Sequence, residues 1–177
     1  GGERPSVQAL LQDRAWPLSE GPLPVYGETG SSRHRKLRER MSWDIFIQDL
    51  PDVATVADIP NDFKPAPIGR EAELIAKIGS VVPFIEKKDS GWYSIDQSEV
   101  VIDLSISEDE ESGQAQCVTL FVRGGARAAG CVAAIVKVLE HRALDSGTGD
   151  FFNPDDPETG YEQWVLYRDQ ILRTPEA

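Results

Sequence analysis

Val100-Val-Ile-Asp-Leu-Ser-Ile106 and Cys117-Val-Thr-Leu-Phe-Val122 decide the fold. In the first, Val100, Ile102, Leu104 and Ile106 alternate with Val101, Asp103 and Ser105. Successive side chains of a strand point to opposite faces, so residues 99–106 read as a strand with one buried face. The second segment, inside a strand over 115–123, is almost continuously apolar, which predicts a central place in the sheet. Between them Ser107-Glu-Asp-Glu-Glu-Ser-Gly113 forms a charged hairpin loop.

The elements on either side follow from the same two periodicities. Gly124 and Gly125 make a tight turn into a helix over 126–141, with Cys131, Val132, Ile135, Val138 and Leu139 facing inward. Upstream lie a strand at 91–96 and a helix over 69–81 with Leu74, Ile75, Ile78, Val81 and Val82 on one side, ended by Pro83. Residues 42–48 alternate as a strand, with Trp43, Ile45 and Ile47 on one face. Pro51, Pro60, Pro65 and Pro67 keep the connection over 49–67 irregular. Downstream, 143–152 holds one short edge strand. A last helix starts near Pro157 or Glu158, capped by Asp156 or by a Thr159–Glu162 box. Its face is Tyr161, Trp164, Val165, Arg168, Ile171 and Leu172, with Tyr167 off it. The order β-α-β-β-β-α-β-α defines an α+β sandwich: one mostly antiparallel sheet with helices packed on one face.

The chain has 177 residues, enough for one domain that needs no disulfide or metal staple. Its net charge of −12 is uneven: residues 1–40 carry +2 and residues 41–177 carry −14. So acidic a body repels nucleic-acid phosphates and anionic lipid, and attracts a basic protein. Acidity of this kind also simply keeps a protein soluble. No run approaches the length of a membrane-spanning helix. The first residues lack the basic-then-apolar pattern of a secretory signal, and the expected location is cytoplasmic. Cys117 and Cys131 lack CxxC spacing and read as small buried residues of a reducing compartment.

Residues 1–40 differ from the rest. They hold four of the twelve prolines, a basic run from Arg33 to Arg40, and only one segment, Val7–Leu11, able to make a helical turn. They read as a disordered basic arm or as sequence upstream of a true start at Met41, the sole methionine; the position of Met41 at the domain edge favours the second. The working unit is then a single acidic α+β domain over 41–177.

Catalytic chemistry finds little to use. His34 and His141 are the only histidines, so neither a multi-histidine metal site nor HExxH can be built. His141 falls at the end of the second helix, where a cation suits the dipole. Gly125 and Gly130 have P-loop spacing, but Cys131 and Val132 stand where Lys and Ser/Thr are needed. What remains is an anion-binding candidate, Arg123, Gly124, Gly125 and Arg127 at a helix N-terminus, suited to a carboxylate or phosphate. Glu108, Asp109, Glu110 and Glu111 on the hairpin tip read as an electrostatic contact surface, because an exposed tip lacks the burial that tunes a catalytic carboxylate. Asp49, Asp52, Asp58 and Asp62 do not have calcium-loop spacing. Tyr167, beside the inward face of the last helix, suits a partner contact. No catalytic residue, metal ligand or cofactor is expected.

Met41-Ser-Trp-Asp-Ile-Phe-Ile-Gln-Asp-Leu-Pro51, Ala57-Asp-Ile-Pro60, Arg142-Ala-Leu-Asp145 and Gly149-Asp-Phe-Phe152 together resemble a set of small, acidic, uncharacterised bacterial α+β proteins over about residues 41–173. The resemblance implies no catalytic residues. Size, charge and fold class are also similar to those of immunity proteins of toxin systems, an analogy that no motif carries. The leading expectation is a non-enzymatic cytosolic protein-binding module, of the kind that inhibits a basic bacterial toxin. The competing one is a small-molecule or anion-binding domain using the Gly-Gly turn.

Overall fold

Strand β1 (Trp43–Gln48) buries Trp43, Ile45 and Ile47 completely on one face. A computed structural model describes residues 41–173; the expectations for residues 1–40 fall outside them. β1 lies between two partners distant in sequence, β5 (Ala115–Val122) and β6 (Arg142–Asp145), antiparallel to both. The remaining strands are β2 (Ile85–Asp89), β3 (Trp92–Gln97), β4 (Val100–Glu108) and β7 (Asp150–Phe151). They complete a seven-stranded sheet in the order β2-β3-β4-β5-β1-β6-β7. Every pairing in it is antiparallel. β5 is its middle strand, as its apolar run predicts.

Three helices cover one face: α1 (Glu71–Val81), α2 (Arg127–Leu139) and α3 (Pro157–Arg173). α1 packs on α2, and α2 on α3. The alternation read from sequence builds the core beneath them. Across four strands, Ile45 pairs with Leu120, Leu120 with Leu104, and Leu104 with Tyr93, all buried. Leu74, Ile78, Val132, Ile135, Leu139 and Trp164 close over this row in one cluster. Fully burying one such side chain is worth about 1.5–3 kcal/mol, so the helix-facing layer dominates stability.

The structure corrects the element list in two places. The segment from Ile85 to Asp89 is a strand, and 143–152 is a pair, β6 and β7, joined by a turn with Gly149 at positive φ. β2 escapes detection because Ile-Glu-Lys-Lys-Asp holds one apolar residue. It is an edge strand in which charge discourages pairing with another chain. Smaller shifts follow from packing. Ile171 and Val81 are exposed while their neighbours Leu172 and Val82 are buried, so these two side chains point away from the core. His141 lies past α2, whose C-cap Glu140 turns left-handed and ends the helix early. α3 starts at Pro157, with the Thr159 hydroxyl donating to Asp156 Oδ2 at 2.8 Å.

The connection over 49–67 contains one 3-10 turn, Val56–Asp58, tied at its start by Thr55 Oγ1 donating to Asp58 Oδ2 at 2.8 Å. This connection covers the second face of the sheet over β1, β6 and β7. Leu50 and Leu144 are buried there, with Phe46, Val56, Ile59 and Phe151 packed around them. Arg142 fastens it: its guanidinium donates to Pro51 O and, at 3.0 Å, to Val53 O, and lies 3.6 Å above the Phe151 ring.

Candidate functional site

The helices take one face of the sheet and the 49–67 connection takes one end of the other. Among the described residues, none of these elements covers the second face over β3, β4 and β5, together with the β5-side margin of β1. Pairing register places the residues there. Phe121 on β5 stands between Asp44 on β1 and Asp103 on β4, directly opposite each. Directly opposed residues in an antiparallel pair share a face and approach within about 5 Å, so the ring is flanked by carboxylates on both sides. Trp92 reaches diagonally from β3 and stacks on Phe121 with ring centroids 5.8 Å apart and planes 14° from parallel. Trp92 remains 45% exposed. Ser94, Ser105 and Thr119 fill the neighbouring positions, so the aromatic pair stands on a floor of small hydroxyl side chains.

The two carboxylates are held differently. Asp103 is ion-paired with Arg123, two residues beyond Phe121 on the same face. Asp44 has a hydroxyl instead: Ser42 Oγ donates to its Oδ1 at 2.5 Å. Among the described residues, no cation lies within ion-pair distance of Asp44. Burial pushes its carboxyl up to about 6, opposed by the Ser42 hydrogen bond and by the Arg123 charge. Its backbone is fixed on both sides, N–H to Ser146 Oγ and carbonyl to Ser146 N, each at 3.0 Å. Among the described residues the site therefore offers an aromatic surface open at Trp92, one ion-paired carboxylate and one carboxylate outside any ion pair.

A second buried carboxylate, Asp145, belongs to the fold. Its Oδ1 accepts from Trp43 Nε1 at 2.6 Å and from Gly147 N at 2.7 Å, beneath the first turns of α3. Burial raises its pKa, against the bond from Trp43. Trp164 Nε1 donates to Ser42 O at 3.0 Å nearby, so two indoles tie α3 and β6 to β1.

The hairpin-tip residues divide by role. Glu108 Oε1 accepts from Glu71 N at 3.1 Å and satisfies the exposed start of α1. Asp109 Oδ1 accepts from Ser112 N at 3.0 Å and Glu111 N at 3.2 Å, shaping the loop. Glu110 and Glu111 extend into solvent. Tyr167 is 54% exposed on α3, within the helical layer. The tip adjoins α1, and α2 lies between α1 and α3, so the fold does not unite Tyr167 with the tip.

The Gly-Gly turn is built for close packing. A side chain at Gly124 would meet Glu99 O at 2.6 Å and Val101 N at 2.7 Å. Gly125 N–H donates to Glu99 O at 2.8 Å, and Tyr161 Oη donates to Gly124 O at 3.2 Å. Arg123 is paired with Asp103, and Arg127 lies 3.6 Å from Glu99. Gly130 sits inside α2 rather than in a loop. Both arginines and the Gly125 N–H thus already have partners within the chain. Among the described residues there is no cluster of three or more His, Cys, Asp or Glu able to hold a metal ion. No described helix is long and apolar enough to cross a membrane.

Sequence reading missed Asp44, Trp92, Asp103 and Phe121 as a group. Each is an ordinary off-core position of its own strand. The one available signal was that such positions carried Asp and Phe where a solvated face usually carries Lys, Glu or Thr. Comparison with protein-family models, curated proteins and solved structures finds no match for this chain.

Proposed function

We propose that this chain is a non-enzymatic protein-binding module for a basic partner and that the open sheet face is its contact surface. The observation that supports this most is the Trp92–Phe121 pair, Trp92 exposed and Phe121 half-buried, with Phe121 between two carboxylates on a strand face that no other described element covers. Aromatic anchors beside polar groups are what protein interfaces use for most of their binding energy. The charge of −14 over residues 41–177 supplies long-range attraction for a cationic protein, to which Glu110 and Glu111 contribute from the hairpin tip. An inhibitor of the immunity type, acting in a reducing cytosol on a basic toxin, is one protein of this description. The free thiols of Cys117 and Cys131 fit that compartment.

The test is titration of the full chain with a cationic hexapeptide, followed by heteronuclear NMR. The expected result is shift changes centred on the indole of Trp92 and on the strands around Phe121, weakened strongly between 50 mM and 500 mM salt. Trp92→Ala should cost at least tenfold in affinity, as truncating an interface anchor does, by roughly 1.4 kcal/mol or more. Shifts confined to the hairpin tip, with Trp92→Ala binding normally, would overturn the placement.

A further inference from the structure

The open face distinguishes between kinds of cation, because its two carboxylates are not equivalent. Asp103 has its guanidinium already, from Arg123 of the same chain. Asp44 lies directly across from Phe121, half-buried, with a hydroxyl bond and, among the described residues, no ion pair. Beside it stands the Phe121 ring, on which Trp92, open to solvent, stacks.

We infer that this position receives an arginine side chain of the partner, its guanidinium over the Trp92–Phe121 pair and its N–H donors on the Asp44 carboxylate. The inference rests on the protein-binding reading above and specifies what that partner must carry. Arginine is selected over lysine for three physical reasons. A guanidinium is planar and stacks on aromatic rings, whereas an ammonium is a compact, strongly hydrated point charge. Its fork donates two parallel hydrogen bonds to one carboxylate, which a lysine cannot do. It is also the more weakly hydrated of the two, so moving it to a half-buried carboxylate costs less. The chain uses the same stacking internally: Arg142 lies 3.6 Å above Phe151, and Arg168 lies 4.8 Å above Trp164. An added cation also relieves Asp44, whose charged form is disfavoured by burial that the Arg123 charge offsets only in part.

The charged groups facing Asp44 are few. From β5 comes Arg123, and from β4 comes Asp103 through its pair with Arg123; Ser42 and Ser146 are uncharged. Asp145 on the neighbouring strand is opposite Ile45 and therefore points into the helix-covered side. Among the described residues, Arg123 is the one cation that acts on Asp44.

The experiment compares hexa-arginine with hexa-lysine, peptides of equal charge, by calorimetric titration of the full-length protein at pH 7.5 and 100 mM salt. The wild type should bind hexa-arginine at least tenfold tighter than hexa-lysine. Asp44→Asn should bring hexa-arginine down to the hexa-lysine level and leave hexa-lysine nearly unchanged; circular dichroism checks that the variant is folded. Trp92→Leu should also narrow the ratio. Equal binding of the two peptides by the wild type, or a ratio untouched by Asp44→Asn, would overturn the arginine site while leaving a general basic-partner surface intact. Binding of neither peptide would overturn both readings together.

Discussion

Asp44→Asn carries a stability prediction whose sign and size both come from the site. The carboxyl of Asp44 ionises at about 6 in the folded chain against an ordinary value of 3.8. Between these two values the folded protein holds a proton that the unfolded chain has released. Stability therefore falls as pH rises from about 4 to about 6, and the loss is complete above that window. At about 1.4 kcal/mol per pH unit the ceiling is about 3 kcal/mol, and partial solvent access brings the expected figure to roughly 1–2 kcal/mol. Asparagine has nearly the same shape, can still accept the Ser42 hydrogen bond and is never charged. The variant should then be more stable than wild type by roughly 1–2 kcal/mol at pH 8 and equal to it near pH 3.5. Urea denaturation of both proteins at several pH values measures this directly, and other titrating groups largely cancel in the difference. A difference independent of pH, or a variant less stable at pH 8, would refute the account of Asp44 as a buried carboxylate without a counter-ion. A residue that lowers stability while shaping an exposed site is what a binding surface is expected to contain.

Two further outcomes test the packing that surrounds the site. Gly124→Ala should destabilise the protein by roughly 1–3 kcal/mol in urea melts, since its Cβ would strike backbone atoms of Glu99 and Val101. Gly125→Ala, whose nearest contacts would be at 3.7 Å, should cost much less. Arg142→Ala should free the 49–67 connection; amide exchange near Val56 and Ile59 should accelerate while the strands under the helices keep their protection. Uniform acceleration across the molecule would show that the connection does not open on its own.

How far the sequence could be read depends on how far each signal is local. Val100 to Ile106 announces a half-buried strand because alternation is a property of a single segment. α2 announces itself by its apolar spacing, and the start of α3 by Asp156 and Pro157. The antiparallel α+β class followed from these elements and their order. β2 did not, because a strand at a sheet edge exposes its side chains on most sides and loses the apolar pattern by which strands are recognised. The hairpin tip looked like a site because its charges are contiguous in sequence, although Glu108 and Asp109 serve the backbone around them.

By itself the sequence determined the charge, the helix-facing core residues and the scarcity of histidine. Each of these is a count or a period along the chain. Tertiary structure alone decided that β1 would lie between β5 and β6, and that the 49–67 connection would cover only one end of the second face. Asp44, Trp92, Asp103 and Phe121 come from four strands and share a face only through the pairing register. A one-residue slip in register would turn them away from one another. Register is set by the burial of the opposite face, so the helix-covered core positions this aromatic and acidic surface.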